Sequence, residues 1–312
     1  MSYMKILGVI LIIMLLGVLG VSSWVLYQTI PGEKVGLTRL DKKLENPQIK
    51  YVNSKQFYRN MRFPSNEITY DVSDDCNLDK KSQVAEAFNI IENRTVLDFS
   101  HTQNNPQIQI VCSDLAPEPE FEDHFVAGEG GPTEIINTSL YAVILSGKIS
   151  LFRDEKCDRP LIALHELFHV LGFDHNNNPN SILFPTLGCE HQIDDYLIDS
   201  INELYSVKSA PDLIIDKING SKSGRYLGFE INVINQGLIP VDSAELMVYA
   251  NGKFVKSFDL GDVDIGTRKV LTVENIKIPR SSEKISFVVR DKSGAKEIFE
   301  NNNRAELVLD DQ

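Results

Sequence analysis

Three histidines, a glutamate and a glycine with the spacing of a metal-hydrolase site occur in one run, His165-Glu166-Leu167-Phe168-His169-Val170-Leu171-Gly172-Phe173-Asp174-His175. On an α-helix, His165 and His169 lie four positions apart and so on one face, close enough to share a zinc ion. Gly172 can take a positive φ, end the helix and turn the chain back, which brings His175 in as a third ligand. Three protein ligands leave a fourth position for water, and that open position distinguishes a catalytic zinc from a closed structural one. Glu166 stands beside the first ligand and is placed to take the water's proton. HExxH alone arises by chance in amphipathic helices. Here the glycine and third histidine also fall in place, using three of the chain's six histidines.

The elements that must position these residues read as α/β from Pro64 onward. Ile68 to Val72 alternates as a strand, and Val84, Ala87, Phe88 and Ile91 recur at helical spacing. Gln107 to Val111 is a second strand, and Leu140 to Phe152 supplies β-prone sequence split by Gly147. The zinc helix follows, with Asp158 expected as its cap, Pro160 in its first turn, and Leu161, Leu164, Phe168 and Leu171 as its buried stripe. After His175 come a turn-rich Asn/Pro loop, the Ser181-Ile182-Leu183-Phe184-Pro185 turn and a last helix. That helix runs from Ile193 to Tyr205, with Ile193, Tyr196, Leu197, Ile201, Leu204 and Tyr205 on one face.

In this order and with these motifs, the chain from about Phe63 to Ser206 resembles the catalytic domain of the matrixin branch of the metzincin zinc metallopeptidases. The resemblance implies an α+β domain, a twisted mixed sheet plus helices, with His165, His169 and His175 as ligands of one catalytic Zn2+ and Glu166 as general base. It makes Ser181 to Pro185 the Met-turn beneath the metal, with Leu183 as a hydrophobic floor where the family has Met. Pro185 stands where other metzincin branches place a metal-contacting Tyr. Ser150 and Phe152 occupy positions where matrixins hold structural zinc and calcium, so those extra ions, calcium included, are not carried over. The substrate is expected to lie extended along the sheet edge, beside Tyr141 to Leu145.

Ile6 to Tyr27 is an almost unbroken apolar run, long enough to cross a bilayer. It reads as a signal-anchor within residues 1–30, the rival being a cleaved signal peptide ending near Gly20, Ser22 and Ser23. Lys34, Arg39, Lys42 and Lys43 outnumber Lys5 across it, which taken alone would place the bulk of the chain in the cytoplasm. The four cysteines argue for the outside. Cys76, Cys112, Cys157 and Cys189 all follow the run, are even in number and form no CxxC, as suits disulfides in an exported domain. Four free buried thiols is the alternative, and sequence leaves the pairing open, though a Cys157–Cys189 bond would brace the zinc helix. Residues 31–62 are polar, cysteine-free and without clear period, and read as a spacer. Asn93, Asn137 and Asn219 open acceptor sequons, triplets that are common by chance in an Asn-rich chain.

Helical periodicity gives way at Val207 to Pro211, and a period of two follows. Leu227, Phe229, Ile231 and Val233 alternate with smaller or polar residues. Ala244, Leu246 and Val248 precede Asn251-Gly252, a type I′ hairpin signal. Residues 211–312 thus read as an all-β immunoglobulin-like sandwich. Pro211-Asp212-Leu213, the Val233 to Gly237 strand end and Glu300 to Asn303 make it similar to CARDB domains, adhesion-related modules of prokaryotic surface proteins.

The 312 residues fit about two domains, and 42% hydrophobic content suffices for their cores. A net charge of −13 with no basic patch excludes nucleic acid as a partner. The reading is therefore a membrane-anchored or secreted zinc metalloendopeptidase with a domain at 63–206. Its partners are a protein or peptide substrate, the membrane and a surface ligand of the sandwich. Its alternative is a non-catalytic surface adhesion protein that uses the zinc domain as a scaffold, against which the intact Glu166 speaks.

Overall fold

The computed structural model describes residues 2–40, 55–118 and 125–309. The apolar run forms helix α1, Ser2–Gln28, roughly 40 Å long at 1.5 Å per residue. From Leu11 onward its side chains pack against nothing else in the chain, so by length and composition it can cross a membrane. A seven-residue strand, β1 (Lys34–Leu40), follows within a few residues.

The first folded unit comprises β2 (Met61–Arg62), β3 (Glu67–Val72), α2 (Leu78–Glu92), β4 (Asp98–His101), β5 (Ile108–Cys112), β6 (Gly128–Asn137), β7 (Ala142–Leu151), α3 (Leu161–Val170) and α4 (Asp195–Leu204). The sandwich comprises β8 (Leu213–Ser223), β9 (Tyr226–Asn235), β10 (Val241–Ala250), β11 (Lys253–Val263), β12 (Arg268–Lys277), β13 (Lys284–Asp291) and β14 (Arg304–Val308).

In the first unit the sheet order is β2-β7-β5-β3-β4, parallel throughout, and β6 adds antiparallel to β7. β2 and β5 share one side of β7, while β6 runs along the whole of the other. Among the described residues the outer side of β6 is therefore a free edge, as is that of β4 at the far end of the sheet. The stretch Tyr141 to Leu145, expected as the substrate edge, lies mostly in β7 and is covered on that side. Gly147 does not split this sequence either. α3 crosses so closely that a Cβ on Gly147 would lie 2.6 Å from Val170 Cγ1, so the glycine permits a helix contact inside a continuous strand.

The core under this sheet collects Val84, Ala87, Phe88 and Ile91 from α2 and Leu161, Leu164, Phe168 and Leu171 from the zinc helix and its end, as the periodicity predicts. On α4 the stripe shifts slightly, with Ile198 buried and Tyr196 exposed, its hydroxyl accepting from Asn176 Nδ2. Two disulfides staple the unit. Cys76–Cys112 ties the α2 approach to the end of β5, and Cys157–Cys189 ties the segments that flank α3 and the turn after it. Buried Arg62 donates to the carbonyls of Leu204 and Val207 and stacks 4.2 Å over the Tyr205 ring, so α4 is locked to β2.

The sandwich faces sheet β1-β12-β9-β8 against β11-β10-β13-β14 around Leu227, Phe229, Ile231, Val233, Leu246, Val248 and Phe287. Asn251 and Gly252, at φ 47° and 79°, make the expected type I′ turn. Part of the segment expected as a spacer is instead structural. β1 pairs antiparallel with β12 from Lys34↔Glu274 to Leu40↔Arg268, and Arg39 bonds Asp264 at 2.8 Å. Its short alternation among charged residues reads as loop until a partner strand supplies the ladder.

Candidate metal centre

α3 places His165 and His169 one turn apart, and Gly172, at φ +94°, ends the helix and returns the chain with His175. Their Nε2 atoms converge: His165 to His169 is 2.9 Å, His165 to His175 3.1 Å and His169 to His175 3.2 Å. The orientation is imposed from behind. His165 Nδ1 donates to the Ile182 carbonyl at 2.6 Å and His169 Nδ1 to the Phe173 carbonyl at 2.7 Å, which turns both Nε2 lone pairs inward. Three nitrogens about 2.05 Å from a tetrahedral zinc would stand roughly 3.3 Å apart, so the donor set fits that ion.

Burial, with the neighbouring imidazoles, holds the His165 pKa down to about 3. Burial, partly offset by the bond to Phe173, holds His169 at about 4, and His175 is lowered as well. The lowered values keep all three imidazoles neutral at physiological pH, the form that can bind a metal.

Glu166 is 5% exposed. Burial, reinforced by the charge of Glu129, raises its pKa to about 8, while the Gly130 N–H opposes the rise. β6 passes directly over it. A Cβ on Gly130 would sit 2.3 Å from the Glu166 carbonyl oxygen, and one on Gly128 2.8 Å from its Cγ. The strand can approach the helix this closely only because it has no side chains there.

Two supports of the site come from parts of the chain that the motif does not reveal. Residues 55–57 form a strap over the metal-bearing turn: Phe57 N donates to Gly172 O and Asp174 N to Lys55 O, each at 3.0 Å, and the Phe57 ring lies 5.8 Å from that of His169. Gln56 holds the strap by bonding both the N–H and the carbonyl of Met61. The start of α3 is also capped from a distance. Asp158 makes no cap; the N-cap position is Pro160, and Glu155 accepts from Ile162 N at 3.0 Å. Pro160 cannot donate, which leaves the next free N–H to a carboxylate reaching back along the chain.

The Ser181 to Pro185 turn lies beneath. Leu183 is fully buried, its N–H held by Ser181 Oγ at 3.0 Å, and the neighbouring Ile182 carbonyl is the one that orients His165; Pro185 is exposed. His191, a fourth histidine nearby, bonds Pro179 O at 2.8 Å and accepts from Gly188 N, which makes it a brace of this loop.

Residues 62–206 match the family model described as Matrixin, and residues 210–307 match CARDB. A 28-residue stretch is 61% identical to macrophage metalloelastase of Oryctolagus cuniculus, covering 9% of this chain and 6% of that protein, so the chain matches only a small part of this relative. Among solved structures, the CARDB domain of a Pyrococcus furiosus protein, determined with di-metal ions, is 28% identical over 32% of this chain and 89% of its own, at TM-score 0.27. High choriolytic enzyme 1, a hatching zinc-protease of Oryzias latipes, is 18% identical over 36% of this chain and 46% of its own, at TM-score 0.24. The chain therefore carries a matrixin-like domain at residues 62–206, called the matrixin domain below, and, behind it, a CARDB-like domain at residues 210–307.

Proposed function

We propose that this protein is a zinc-dependent endopeptidase, anchored by α1 with its folded units outside the cell. The observation that carries the reading is the convergence of three neutral imidazoles on one point, with Glu166 buried on the same helix. In this reading His165, His169 and His175 hold the zinc, and the carbonyls of Ile182 and Phe173 keep two of the rings aligned. Zinc, when bound, supplies Lewis acidity that polarises the peptide carbonyl and acidifies water, and its charge counters the burial that raises the Glu166 pKa. Glu166 takes the proton of the attacking water and returns it to the leaving amine.

The free outer side of β6 offers its backbone groups to an extended polypeptide, so the substrate lies along Gly128 to Asn137. The domains of the chain are then the anchor at 1–30, the peptidase at 63–206 with β2 and the 55–57 strap joined to it from the preceding segment, and the sandwich at 211–312, which β1 completes. Both disulfides and the membrane-length helix support placement on the outside.

Glu166→Gln tests the chemistry. The amide is nearly isosteric and leaves the histidines untouched, so zinc content and fold stay, while peptide hydrolysis falls by about 10² to 10⁴. Cleavage by the variant within a few-fold of the parent would remove Glu166 from the role of base. A zinc-loaded parent that cleaves nothing in a diverse peptide library would leave a binding scaffold.

A further inference from the structure

The free-edged strand β6 runs from the catalytic helix to the sandwich. At its start Gly130 abuts Glu166; at its end the two domains meet. Thr138 Oγ1 donates to the Gln236 carbonyl at 3.2 Å, Ser139 bonds the Gln236 side chain, and Leu238 is fully buried against Leu140, Tyr141 and Val143. Gly266, at φ +71°, lies so close to Ile136 that a Cβ on it would come within 2.7 Å of Ile136 Cγ2.

Beside this junction opens a cleft of about 540 Å³. Ile135, Ile136 and Leu145 line it from the matrixin domain, and Pro240 and Ile265 from the sandwich. Its volume is that of a ligand site, and apolar side chains from both domains face it. Arg39 and Asp264, paired at 2.8 Å, lie on its wall, so the anchor-proximal strand contributes to it as well.

We infer that this interdomain cleft is a distal subsite of the peptidase, which takes an apolar side chain of the bound polypeptide about six residues from the scissile bond. The inference rests on the peptidase reading above. The occupant follows from continuity with the strand. A polypeptide paired with the outer side of β6 advances about 3.3 Å per residue in step with it. Six residues separate Gly130 from Ile136, so such a chain travels about 20 Å from Glu166 and arrives at the cleft. The irregular register between Pro132 and Ile135 shifts the match by a residue, which gives positions five to seven. The CARDB domain thereby becomes part of the cleft that selects substrates, and cleavage is selective for extended, partly apolar polypeptides.

The test uses the whole ectodomain, from Pro31 onward, with quenched fluorescent peptides. One short peptide carries four residues on each side of the scissile bond. A long series keeps that centre and walks a single Leu or Asp through positions five to seven on either side. The expected result is a kcat/KM about tenfold higher for Leu than for Asp at one of these positions, and higher than for the short peptide. The ratio of long to short should return to about one in Ile265→Asn and in Pro240→Asp, the second of which changes an exposed rim residue and leaves the buried contacts alone. Cleavage of the short peptide with a ratio near one for every long peptide would overturn the subsite and leave the peptidase standing. A gain that survives both variants would also overturn it, as would a fatty-acid probe that binds the cleft without affecting the cleavage of long peptides. Failure to cleave even the short peptide with zinc bound would instead refute the peptidase reading itself.

Discussion

Gly130 shows how much a single missing side chain can decide. Gly130→Ala would drive a Cβ into the Glu166 carbonyl, and backbone on both sides cannot swing away as a long side chain could. The expected outcome is a loss of about 1–3 kcal/mol in the denaturant unfolding of the matrixin domain, with weaker zinc retention in metal analysis, since β6 must lift from α3. The site itself was legible at this scale because its geometry is local: one helical turn relates His165 to His169, and one glycine turn brings back His175. Glu129, Glu155 and the Lys55–Phe57 strap were not, because each reaches the site from a stretch of chain whose own pattern does not point to it.

A second single-residue case lies in the sandwich. Glu297 accepts from Leu213 N at 2.8 Å, and burial first, then the charges of Asp212 and Asp291, raises its pKa to about 7. The protonated form is thus favoured by folding. Its contribution is complete below about pH 4.5 and is lost as pH rises through about 7. The urea midpoint of the sandwich should fall between pH 5 and pH 8, and Glu297→Gln should flatten that slope; an unchanged slope would put the proton elsewhere.

Among the elements, the zinc helix depends on fastenings outside itself. Cys157–Cys189 closes a loop of 32 residues around it. In the chain-entropy account such a bond contributes about 3–4 kcal/mol. Replacing both cysteines by Ser should lower the unfolding free energy of the matrixin domain by about that amount, read by denaturant titration with and without zinc. Most strands and helices with a clear period were foreseeable, but β6 was not. Gly128, Gly130 and Gly131, with Pro132 after them, read against strand formation. The strand forms because β7 offers it a ladder and because α3 requires a surface without side chains there. Gly147 misleads in the same way: in the sequence it reads as a break between two strands, and in the fold it is a contact point inside one.

At the scale of the whole molecule, the matrixin domain is set in sequence between the first strand of the sandwich and the rest of it. β1 joins β12 in seven register pairs, and cross-strand pairs are worth roughly 0.2–1 kcal/mol each. A chain beginning at Asp41 should therefore be less stable than one beginning at Pro31 by about 2–4 kcal/mol in the sandwich transition, with faster hydrogen exchange along β12. Equal exchange in the two would mean that β1 adds nothing. No local pattern announces this pairing, because its partner lies about 240 residues further on.

That separation also sets an order in time. A chain made from its N-terminus displays β1 long before Arg268 to Lys277 exist to receive it, while everything the matrixin domain needs has already emerged. The matrixin domain can thus assemble first and the clasp between β1 and β12 close last. Until then an unpaired ribbon stands open to other chains. Only a molecule synthesised as far as Lys277 can close the clasp, so a truncated product is left with its matrixin domain complete and its first strand unmatched, a difference that a quality-control protease could read.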